Sequence, residues 1–400
     1  NIHNESFMKD GSFFNQLKLR AGYGSTGNDK ISNTSYATLY GSTVVAVNNT
    51  QVIGLKPGTT LGNPDLVWEK TQTSNIALDM SFLDNRVNLT TDFYNNESKN
   101  LLVRANIPTS TGYSYQFQNI AALRNRGVEV TLNTVNIKKA DFQWQTSFNI
   151  TFNKSKTKAL FGTSGNDYLI TNLSSRVDFM TQVGESVGKF YGYKYDGVYT
   201  TDDFNQNPDG SYSLKNGVAS LKGKNRANIK PGDVKYLPTA GETDANGNPV
   251  WSTNDRTVIG NPEPKYFGGM NNAFSYKNFD LSVFVNFAYG NQAFNMNTQR
   301  FMGPYLPNQN SLSTMASRFT LIDPATGLET KDLSRLAALN PDQHSKDQVW
   351  SLNSGNNIAI SDALDYYLED ASFLRINNIT FGYTLPVAVS KKAFINKMRV

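Results

Sequence analysis

Strict alternation of apolar and polar positions is clearest in the stretch Asp141–Phe152, which reads DFQWQTSFNITF. Its even-numbered positions are apolar except for Thr146, and its odd-numbered positions are all polar. Successive side chains of a β-strand point to opposite faces, so the pattern predicts a strand with one oily face and one wet face. The run has the roughly 9–11 residues that a tilted strand needs to cross a bilayer. Aromatic residues near both of its ends favour a transmembrane barrel over a soluble sandwich.

Alternation of the same kind predicts seven further strands. They are Gln16–Gly24, Trp68–Phe82, Val87–Phe93, Asn125–Thr134, Tyr266–Tyr276, Phe279–Tyr289 and Leu368–Leu385. Two of them fit poorly, because Asn272 interrupts the oily face of one strand and the apolar parity of the last strand changes across Asn377 and Asn378. A β-bulge at Asn377–Asn378 would restore the register of the last strand.

Long and short connections alternate between these predicted strands. The long ones are Ser25–Asp65, Asn95–Ala122, Asn153–Pro264 and Gly290–Asp365, and the short ones are Leu83–Asn85, Asn136–Ala140, Lys277–Asn278 and Pro386–Lys397. This order predicts an all-β fold, namely an antiparallel transmembrane β-barrel segment with long extracellular loops and short periplasmic turns.

Aromatic residues gather at both ends of the predicted strands. Those at the long-loop ends are Tyr23, Trp68, Phe93, Tyr266, Phe267 and Tyr289, and those at the short-turn ends are Phe82, Trp144, Phe279 and Tyr383. Two such belts are expected where a barrel meets the two membrane–water interfaces.

Composition narrows the class of protein further. Of the 400 residues, 38% are hydrophobic and only 18% are charged, and there is no Cys, so thiolate metal sites and disulfides are excluded. The two histidines, His3 and His344, are too few for a multi-His metal site. The net charge is +5 with no basic run of the kind that binds nucleic acid. Neither an apolar run that could form a transmembrane helix nor a signal peptide is found, and the chain is expected to be a piece of a longer protein.

Seven segments, in order along the chain, together resemble a known family. They are Leu17–Gly27 (LKLRAGYGSTG), Gly62–Asn75 (GNPDLVWEKTQTSN), Asn125–Val130 (NRGVEV), Val187–Thr200 (VGKFYGYKYDGVYT), Arg256–Tyr266 (RTVIGNPEPKY), Tyr276–Phe284 (YKNFDLSVF) and Tyr367–Pro386 (YLEDASFLRINNITFGYTLP). The ordered set is similar to the C-terminal barrel of SusC/RagA-like TonB-dependent outer-membrane transporters of Bacteroidetes.

The resemblance implies more than the residues themselves do. The resemblance implies a full-length barrel of 22 strands with a plug in its lumen. Barrels with this number of strands are known among outer-membrane transporters. Residues 1–400 would supply part of the C-terminal barrel, with the plug, the TonB-contact segment and the final strands outside the chain. The expected partners are a SusD-like surface lipoprotein, the TonB complex and outer-membrane lipid, with no nucleic acid.

The function expected from this resemblance is active import of an oligomeric nutrient, a glycan first and a peptide second. The alternative is a soluble or surface-exposed β-rich carbohydrate-binding protein such as an adhesin. An enzyme such as a glycosidase comes third, since paired carboxylates could hydrolyse a glycan. The inward-facing carboxylates Asp79, Asp92, Glu129 and Asp280 are instead interpreted as lining a wet lumen, paired with Lys18, Arg20 or Arg86, and no enzymatic activity is predicted.

Two loop features are candidate sites. The stretch Asp244–Asp255 (DANGNPVWSTND) resembles a calcium loop, with Asp244, Asn246, Asn248 and Asp255 as the oxygen donors for Ca²⁺. Pro249 replaces the usual turn Gly, and a plain polar turn is the alternative. Trp251 and Trp350 lie in long loops, where an indole could stack on a sugar ring or simply pack within its own loop. The alternation of Tyr191, Tyr193 and Tyr195 is more simply explained by an additional strand or a loop ribbon than by a binding platform.

Overall fold

The structure is a computed structural model that describes residues 2, 5, 13–32, 34–160, 168–173, 177–302, 308–352 and 363–400. Parts of the predicted long connections, and His3, lie outside these residues. Eight long strands dominate the described part of the chain. We label them β1 (Phe14–Asn28), β2 (Glu69–Phe82), β3 (Val87–Asn106), β4 (Tyr115–Lys138), β5 (Phe142–Ala159), β6 (Tyr266–Tyr276), β7 (Phe279–Tyr289) and β8 (Phe373–Tyr383).

These strands pair in chain order, each antiparallel to the next, in a nine-stranded sheet whose ninth member, Thr60–Leu61, pairs parallel with β4. Strands β1 and β8 are the two ends of this open sheet among the described residues. The all-β antiparallel fold predicted from the alternation is therefore confirmed. Beyond β8, Met398–Val400 returns beside it, with backbone hydrogen bonds of 2.9 and 3.0 Å between Tyr383 and Val400.

Strands β3 and β4 are much longer than predicted. The predicted long connection Asn95–Ala122 is wrong, because both strands continue through most of it and only 107–114 links them. Hydrophobic alternation stops where polar residues such as Asn95, Asn96 and Glu97 begin, but the backbone ladder continues past that point. Alternation reports which faces are wet or oily, whereas strand pairing needs only backbone N–H and C=O groups.

The last strand contains the bulge that its sequence requires. Phe284 of β7 lies opposite Asn378, whereas the next residue, Val285, lies opposite Ile376, so Asn377 is the extra residue. Ile376 and Ile379 consequently lie on the same face. The predicted strand Leu368–Leu385 is too long, since Leu368–Asp370 is a separate strand that pairs with Gln292–Phe294.

Asn272, which interrupts the oily face of β6, is part of a hydrogen-bonded group. Its Oδ1 accepts hydrogen bonds from the indole N–H of Trp144 (3.0 Å) and the hydroxyl of Thr146 (2.7 Å). Thr146 also accepts one from the amide of Asn136 (2.7 Å). Because each polar atom on a lipid-side surface needs a partner, this group explains how β6 tolerates an Asn there.

One face of the sheet is apolar along all eight strands, and we call it the apolar band. It contains, among others, Leu19, Ile76, Phe93, Val128, Phe148, Met270, Val285 and Ile379, which the registers place on one side. Rings pair at both margins: Tyr266 stacks on Tyr289 at 5.1 Å, and Phe279 lies 4.7 Å from Tyr383. The predicted belts are present, with one correction. Phe267 lies opposite Thr151, on the other face, which we call the polar face.

The connections contain shorter elements. The short strands are Tyr40–Val47, Thr50–Pro57, Tyr168–Leu173, Val177–Gln182, Lys189–Gly192, Tyr195–Val198, Phe204–Gln206, Tyr212–Leu214, Ser220–Leu221, Val234–Tyr236, Val250–Trp251, Thr257–Gly260, Ile322–Asp323 and Leu328–Glu329. The α-helices are α1 (Met296–Phe301), α2 (Leu333–Leu339) and α3 (Val387–Ser390). Among the residues described, none of the helices is both long and apolar enough to span a bilayer.

A separate hydrophobic core lies in the two longest connections, residues 160–265 and 290–372. It is built from Tyr193, Val198, Tyr236, Trp251, Met302, Met315, Phe319, Leu321, Leu336, Val349, Trp350, Leu364 and Tyr367, all of them buried. Members of both connections contribute to the same core, so the two connections form one packed unit, which we call the loop cap. The polar composition of these two connections predicts irregular loops, and it gives no sign of the core that they share.

Candidate functional site

Charged side chains on the polar face neutralise one another across three strands. The guanidinium of Arg20 on β1 donates hydrogen bonds to both carboxylate oxygens of Asp79 on β2, at 2.7 and 2.9 Å. It also lies 3.5 Å from a carboxylate oxygen of Asp92 on β3. Ala77, fully buried, lies opposite both Arg20 and Asp92 in the registers of its two neighbouring strands. The predicted pairing of these carboxylates with Arg20 is confirmed. A fork-to-fork pair of this kind fixes the geometry of both partners.

A polar recess of about 680 Å³ lies beside this ion pair on β2–β5. It is lined by Thr73, Asn75, Asp92, Tyr94, Asn96, Asn125, Glu129 and Asn153. Asp92 and Glu129 lie directly opposite each other on β3 and β4. Carboxylates and carboxamides of this kind hydrogen-bond well to hydroxyl and amide groups, so the recess has a chemistry suited to a polar ligand.

Gly127, in the NRGVEV motif, makes room for Tyr94 beside this recess. A Cβ at position 127 would lie 2.5 Å from the Tyr94 hydroxyl oxygen and 2.3 Å from the carbonyl oxygen of Phe152. Tyr94 crosses over Gly127 and donates a 2.8 Å hydrogen bond to Oδ1 of Asn153 on β5. The glycine therefore permits a link between β3 and β5 across the face of β4.

Two of the predicted charge partners are different in the structure. Arg86 does not bind a carboxylate: its guanidinium donates to the carbonyl oxygens of Val135 (3.1 and 3.0 Å) and Asn136 (2.7 Å). Asp280 pairs with Arg399 at 2.9 Å, a partner that the alternation had not suggested. Arg86 is at a tight turn whose residues Leu83, Asp84 and Asn85 all have positive φ, so the turn directs its side chain across to the next short turn.

The two connections of the loop cap are joined through the Tyr193–Tyr195 stretch. Tyr193 donates its backbone N–H to the carbonyl of Ala363 (2.8 Å), and the backbone N–H of Tyr195 donates to a carboxylate oxygen of Asp365 (2.7 Å). Gly192 is required at this joint, because a Cβ there would lie 2.0 Å from the carbonyl oxygen of Ala363. The alternating tyrosines, predicted to lie on one additional strand or loop ribbon, are divided between two short strands of different sheets, Lys189–Gly192 and Tyr195–Val198, with Tyr193 between them.

Both candidate tryptophans lie inside the loop cap. Trp251 is 5% exposed and meets Tyr236 edge-on at 4.2 Å, and Trp350 is 1% exposed and meets Tyr366 at 5.5 Å. In this arrangement neither indole presents a free face to solvent. The geometry favours the packing alternative given with the prediction. Trp350 also meets Tyr195 of the other connection edge-on at 6.3 Å, and this contact joins the two connections.

A second recess, of about 730 Å³, lies within the loop cap. Its lining includes Tyr195, Tyr366, Lys346, Asp365 and Glu369. Burial raises the pKa of the Asp365 carboxyl above its usual value. Sequence reasoning missed this recess because its two sides come from connections far apart in the chain.

Three of the four predicted calcium donors, Asp244, Asn248 and Asp255, already accept hydrogen bonds from within the protein. Oδ1 of Asp244 accepts the backbone N–H groups of Asn246 and Asn248, each at 2.9 Å, and hydrogen bonds from Asn248 hold the pKa of Asp244 below its usual value. Asp255, 1% exposed, accepts the N–H groups of Ala240 and Ser252 at 2.7 Å. Across the described ranges, no group of three or more His, Cys, Asp or Glu side chains is placed to hold a metal ion.

Calcium binding by this loop remains a prediction with a direct test. Asp244 is the first of the predicted donors, so Ca²⁺ binding by this loop has to depend on its carboxylate. Calorimetric titration of the full-length protein with Ca²⁺ is then expected to give a heat that Asp244→Ala abolishes and that Asp342→Asn, a control in another loop, retains. Equal heats for the wild type and Asp244→Ala would leave the loop as a turn closed by its own amides.

An ion pair in the loop cap predicts a pH dependence. Arg335 on α2 binds both oxygens of Asp323 at 2.7 and 2.9 Å, and this hydrogen bonding lowers the pKa of Asp323 to about 2. A carboxyl whose pKa is lower in the folded state stabilises it above the unfolded pKa of about 3.9 and loses that contribution as the pH falls towards 2. Hydrogen exchange of α2 is expected to be slower in the wild type than in Asp323→Asn from pH 7 to pH 4, with the difference vanishing near pH 2. A difference that persists at pH 2 would contradict the ion pair as its cause.

Comparison with known proteins places this architecture in a family. The family model described as "TonB dependent receptor-like, beta-barrel" matches residues 10–222, just over half of the chain. TonB-dependent receptor P3 of Formosa agariphila is 30% identical over 404 residues, which cover 100% of this chain and 35% of the relative. TonB-dependent receptor SusC of Bacteroides thetaiotaomicron is 28% identical over 403 residues, covering 96% and 33%. The chain thus spans about a third of the length of these curated relatives.

Solved structures give the same fold. The RagAB peptide importer in its closed-closed state has a TM-score of 0.69 at 22% identity, covering 100% of this chain and 37% of that one. The RagAB peptide transporter has a TM-score of 0.71 at 21% identity, covering 100% and 38%. Identities this low bear on the fold alone.

An antiparallel sheet with an apolar band, a charged polar face, short turns at one end and large loops at the other defines an outer-membrane β-barrel segment. The chain belongs to the TonB-dependent receptors and is similar to their SusC-like members; it is an outer-membrane protein of the Bacteroidetes type. The apolar band therefore faces lipid, the polar face lines the lumen, and the short turns lie on the periplasmic side.

Proposed function

We propose that the full-length protein imports an oligomeric nutrient across the outer membrane, with this chain forming part of the barrel wall and the extracellular loop cap. The observation that carries the proposal is the polar face. Its ion pairs and the carboxamide-lined recess give β1–β5 a hydrophilic wall. A wall that a polar solute passes needs such groups, whereas a soluble adhesin has no use for an oily outer face and a wet inner one.

A glycan is the cargo we favour, with a peptide as the second candidate. Carboxylates, carboxamides and a tyrosine hydroxyl around the recess suit the hydroxyl groups of a sugar. The same groups also bind peptide amides, and the solved relatives with this fold are described as importers of peptides. No catalytic step is proposed: Asp79 and Asp92 are engaged by a shared Arg20, so neither is placed as a free acid or nucleophile.

The proposed partners follow from the family. A SusD-like surface lipoprotein would cover the loop cap, and the TonB complex would supply the energy from the periplasmic side. We propose that the plug, the TonB-contact segment and the remaining strands lie in parts of the full-length protein outside residues 1–400. Support comes from the relatives, which are about three times as long as this chain.

Uptake by cells tests the proposal. A strain that lacks the full-length protein is given fluorescent oligosaccharides or fluorescent oligopeptides, and uptake is compared with the complemented strain and with a strain lacking TonB. Uptake of one class that needs both the protein and TonB is expected. Unchanged uptake of both classes in the deletion strain, or a full-length protein found in the soluble fraction, would refute import.

Neighbouring residues of β4 provide matched variants for the same assay. Thr131 is on the lumen face opposite Asn149, and Val130 is on the lipid face opposite Ile150. Thr131→Trp adds bulk to the lumen and is expected to slow uptake, whereas Val130→Trp adds the same side chain towards lipid and should not. Both variants must reach the outer membrane at wild-type levels for the comparison to be read.

A further inference from the structure

The segment that follows β8 on the periplasmic side exposes large apolar side chains. We call residues 386–398 the amphipathic turn; it contains α3 and the 3-10 turn Lys391–Ala393. The side chain of Phe394 is 100% exposed, and three apolar neighbours are also exposed: Val387, Val389 and Ile395. Side chains of this size are costly to leave in water, and the exposure of four of them between residues 387 and 395 favours a nonaqueous surrounding.

Phe394 has an unusual backbone conformation as well. Its φ is +59°, in the left-handed region that residues other than glycine seldom adopt. The conformation is held by hydrogen bonds from the N–H of Phe394 to the carbonyl of Lys391 (3.0 Å) and from the N–H of Ile395 to the carbonyl of Ser390 (3.1 Å). The fold thus directs a bulky ring outward from a closed turn, at a position where glycine would be the unstrained choice.

Positive charge is concentrated at the same end of the barrel. The short turns and the segment after β8, residues 83–86, 138–141, 277–280 and 384–400, contain eight Lys or Arg and three Asp, which equals the entire net charge of +5. The remainder of the chain is therefore neutral. Within the amphipathic turn, Lys391, Lys392 and Lys397 are all exposed.

The amphipathic turn is next to the lipid-facing surface. It follows directly from Tyr383, whose ring lies 4.7 Å from Phe279 at the periplasmic margin of the apolar band. Exposed Phe381 and Ile379 continue that band along β8. A short segment that combines exposed apolar side chains with exposed lysines at the margin of the apolar band has the composition of an interfacial anchor.

We propose that the amphipathic turn binds anionic phospholipid in the inner leaflet of the outer membrane, with Phe394 and its apolar neighbours inserted between the lipids and the three lysines against the phosphates. The observations favour lipid over an acidic protein because the apolar side chains extend a surface already in contact with acyl chains. The inference needs only the membrane-embedded sheet, so it does not depend on the import proposal.

Lipid retention tests this inference. The full-length protein is placed in nanodiscs of phosphatidylglycerol mixed with phosphatidylcholine, and the lipids that remain bound on release are counted by native mass spectrometry. The wild type is expected to retain phosphatidylglycerol preferentially. The triple variant Lys391→Gln, Lys392→Gln and Lys397→Gln is expected to lose about fivefold in this preference for each lysine removed at low salt. Phe394→Ser should lower the retention of both lipids.

A second triple variant controls for charge alone. Lys30→Gln, Lys56→Gln and Lys224→Gln remove the same charge from exposed lysines at the extracellular end and should leave the preference unchanged. An equal preference in the wild type and the first triple variant would overturn the proposal, as would an equal loss in both triple variants. Displacement of the lipid by millimolar inorganic phosphate would also overturn the proposal, because the turn would then bind anions through its lysines alone and not through inserted apolar side chains.

Discussion

Replacing Phe148 by Arg is expected to destabilise the barrel by about 2–4 kcal/mol and to block most of its assembly, because an Arg on the lipid face near the bilayer midplane has a cost of this size. Phe148 lies near the middle of β5, between Leu132 and Met270 on the apolar band, and its ring stacks on Phe287 at 6.2 Å. Folding of the full-length protein into vesicles, followed by the heat-dependent shift of its mobility on a gel, measures the effect.

Gln145→Arg is the matched control for this variant. Gln145 is on the same strand but on the lumen face and is exposed there, so an Arg can remain in water. Asn149, the polar neighbour of Phe148, is a poorer control because its Oδ1 accepts a 3.0 Å hydrogen bond from the backbone N–H of Gly269. Equal assembly of Phe148→Arg and Gln145→Arg would contradict the assignment of the two faces.

Replacing Trp350 by Ala is expected to destabilise the loop cap by about 3–5 kcal/mol, the usual cost of truncating a buried Trp. Its indole is 1% exposed and lies 5.5 Å from Tyr366 and 6.2 Å from Tyr367 by ring centroids. Faster hydrogen exchange throughout both connections of the loop cap, with a barrel that still shows the heat-dependent shift, is the expected result.

Leu328→Ala supplies the control within the loop cap. Leu328 is 70% exposed, so its truncation removes little buried surface and should leave exchange almost unchanged. The comparison also addresses the earlier prediction that Trp350 binds a ligand. Loss of cargo binding by Trp350→Ala with normal exchange in the loop cap would favour stacking on the cargo over a packing role.

The strands could be predicted because each residue of a membrane strand faces either lipid or water, whatever its neighbours on other strands are. Lipid on one side and water on the other force a period of two, which is readable in β5 without knowledge of its neighbours. Even the exceptions were informative: the change of parity in β8 located the bulge at Asn377. Where the strands leave the bilayer the rule no longer applies, and the predicted bounds of β3 and β4 are wrong for that reason.

The loop cap could not be predicted because its contacts are not local. Trp251 and Trp350 have no periodic context, and only the folded chain places them in one core. The ion pair of Arg20 with Asp79 was foreseen because adjacent strands bring inward-facing residues together, whereas the pair of Asp280 with Arg399 depends on how the chain returns after β8. Short turns such as Lys277–Asn278 were found because the break in alternation marks them.

The joint between the two connections of the loop cap has a consequence for how such proteins diversify. Tyr195 and Asp365 meet although 170 positions separate them, and both connections supply residues to one interior. The two stretches are thus obliged to change in step, because a substitution inside one alters the fit of the other. Grafting a single connection from a relative should leave a mismatched interior, whereas transplanting both together should preserve it. Any change in the interior of this surface therefore involves a pair of loops that are distant in the sequence.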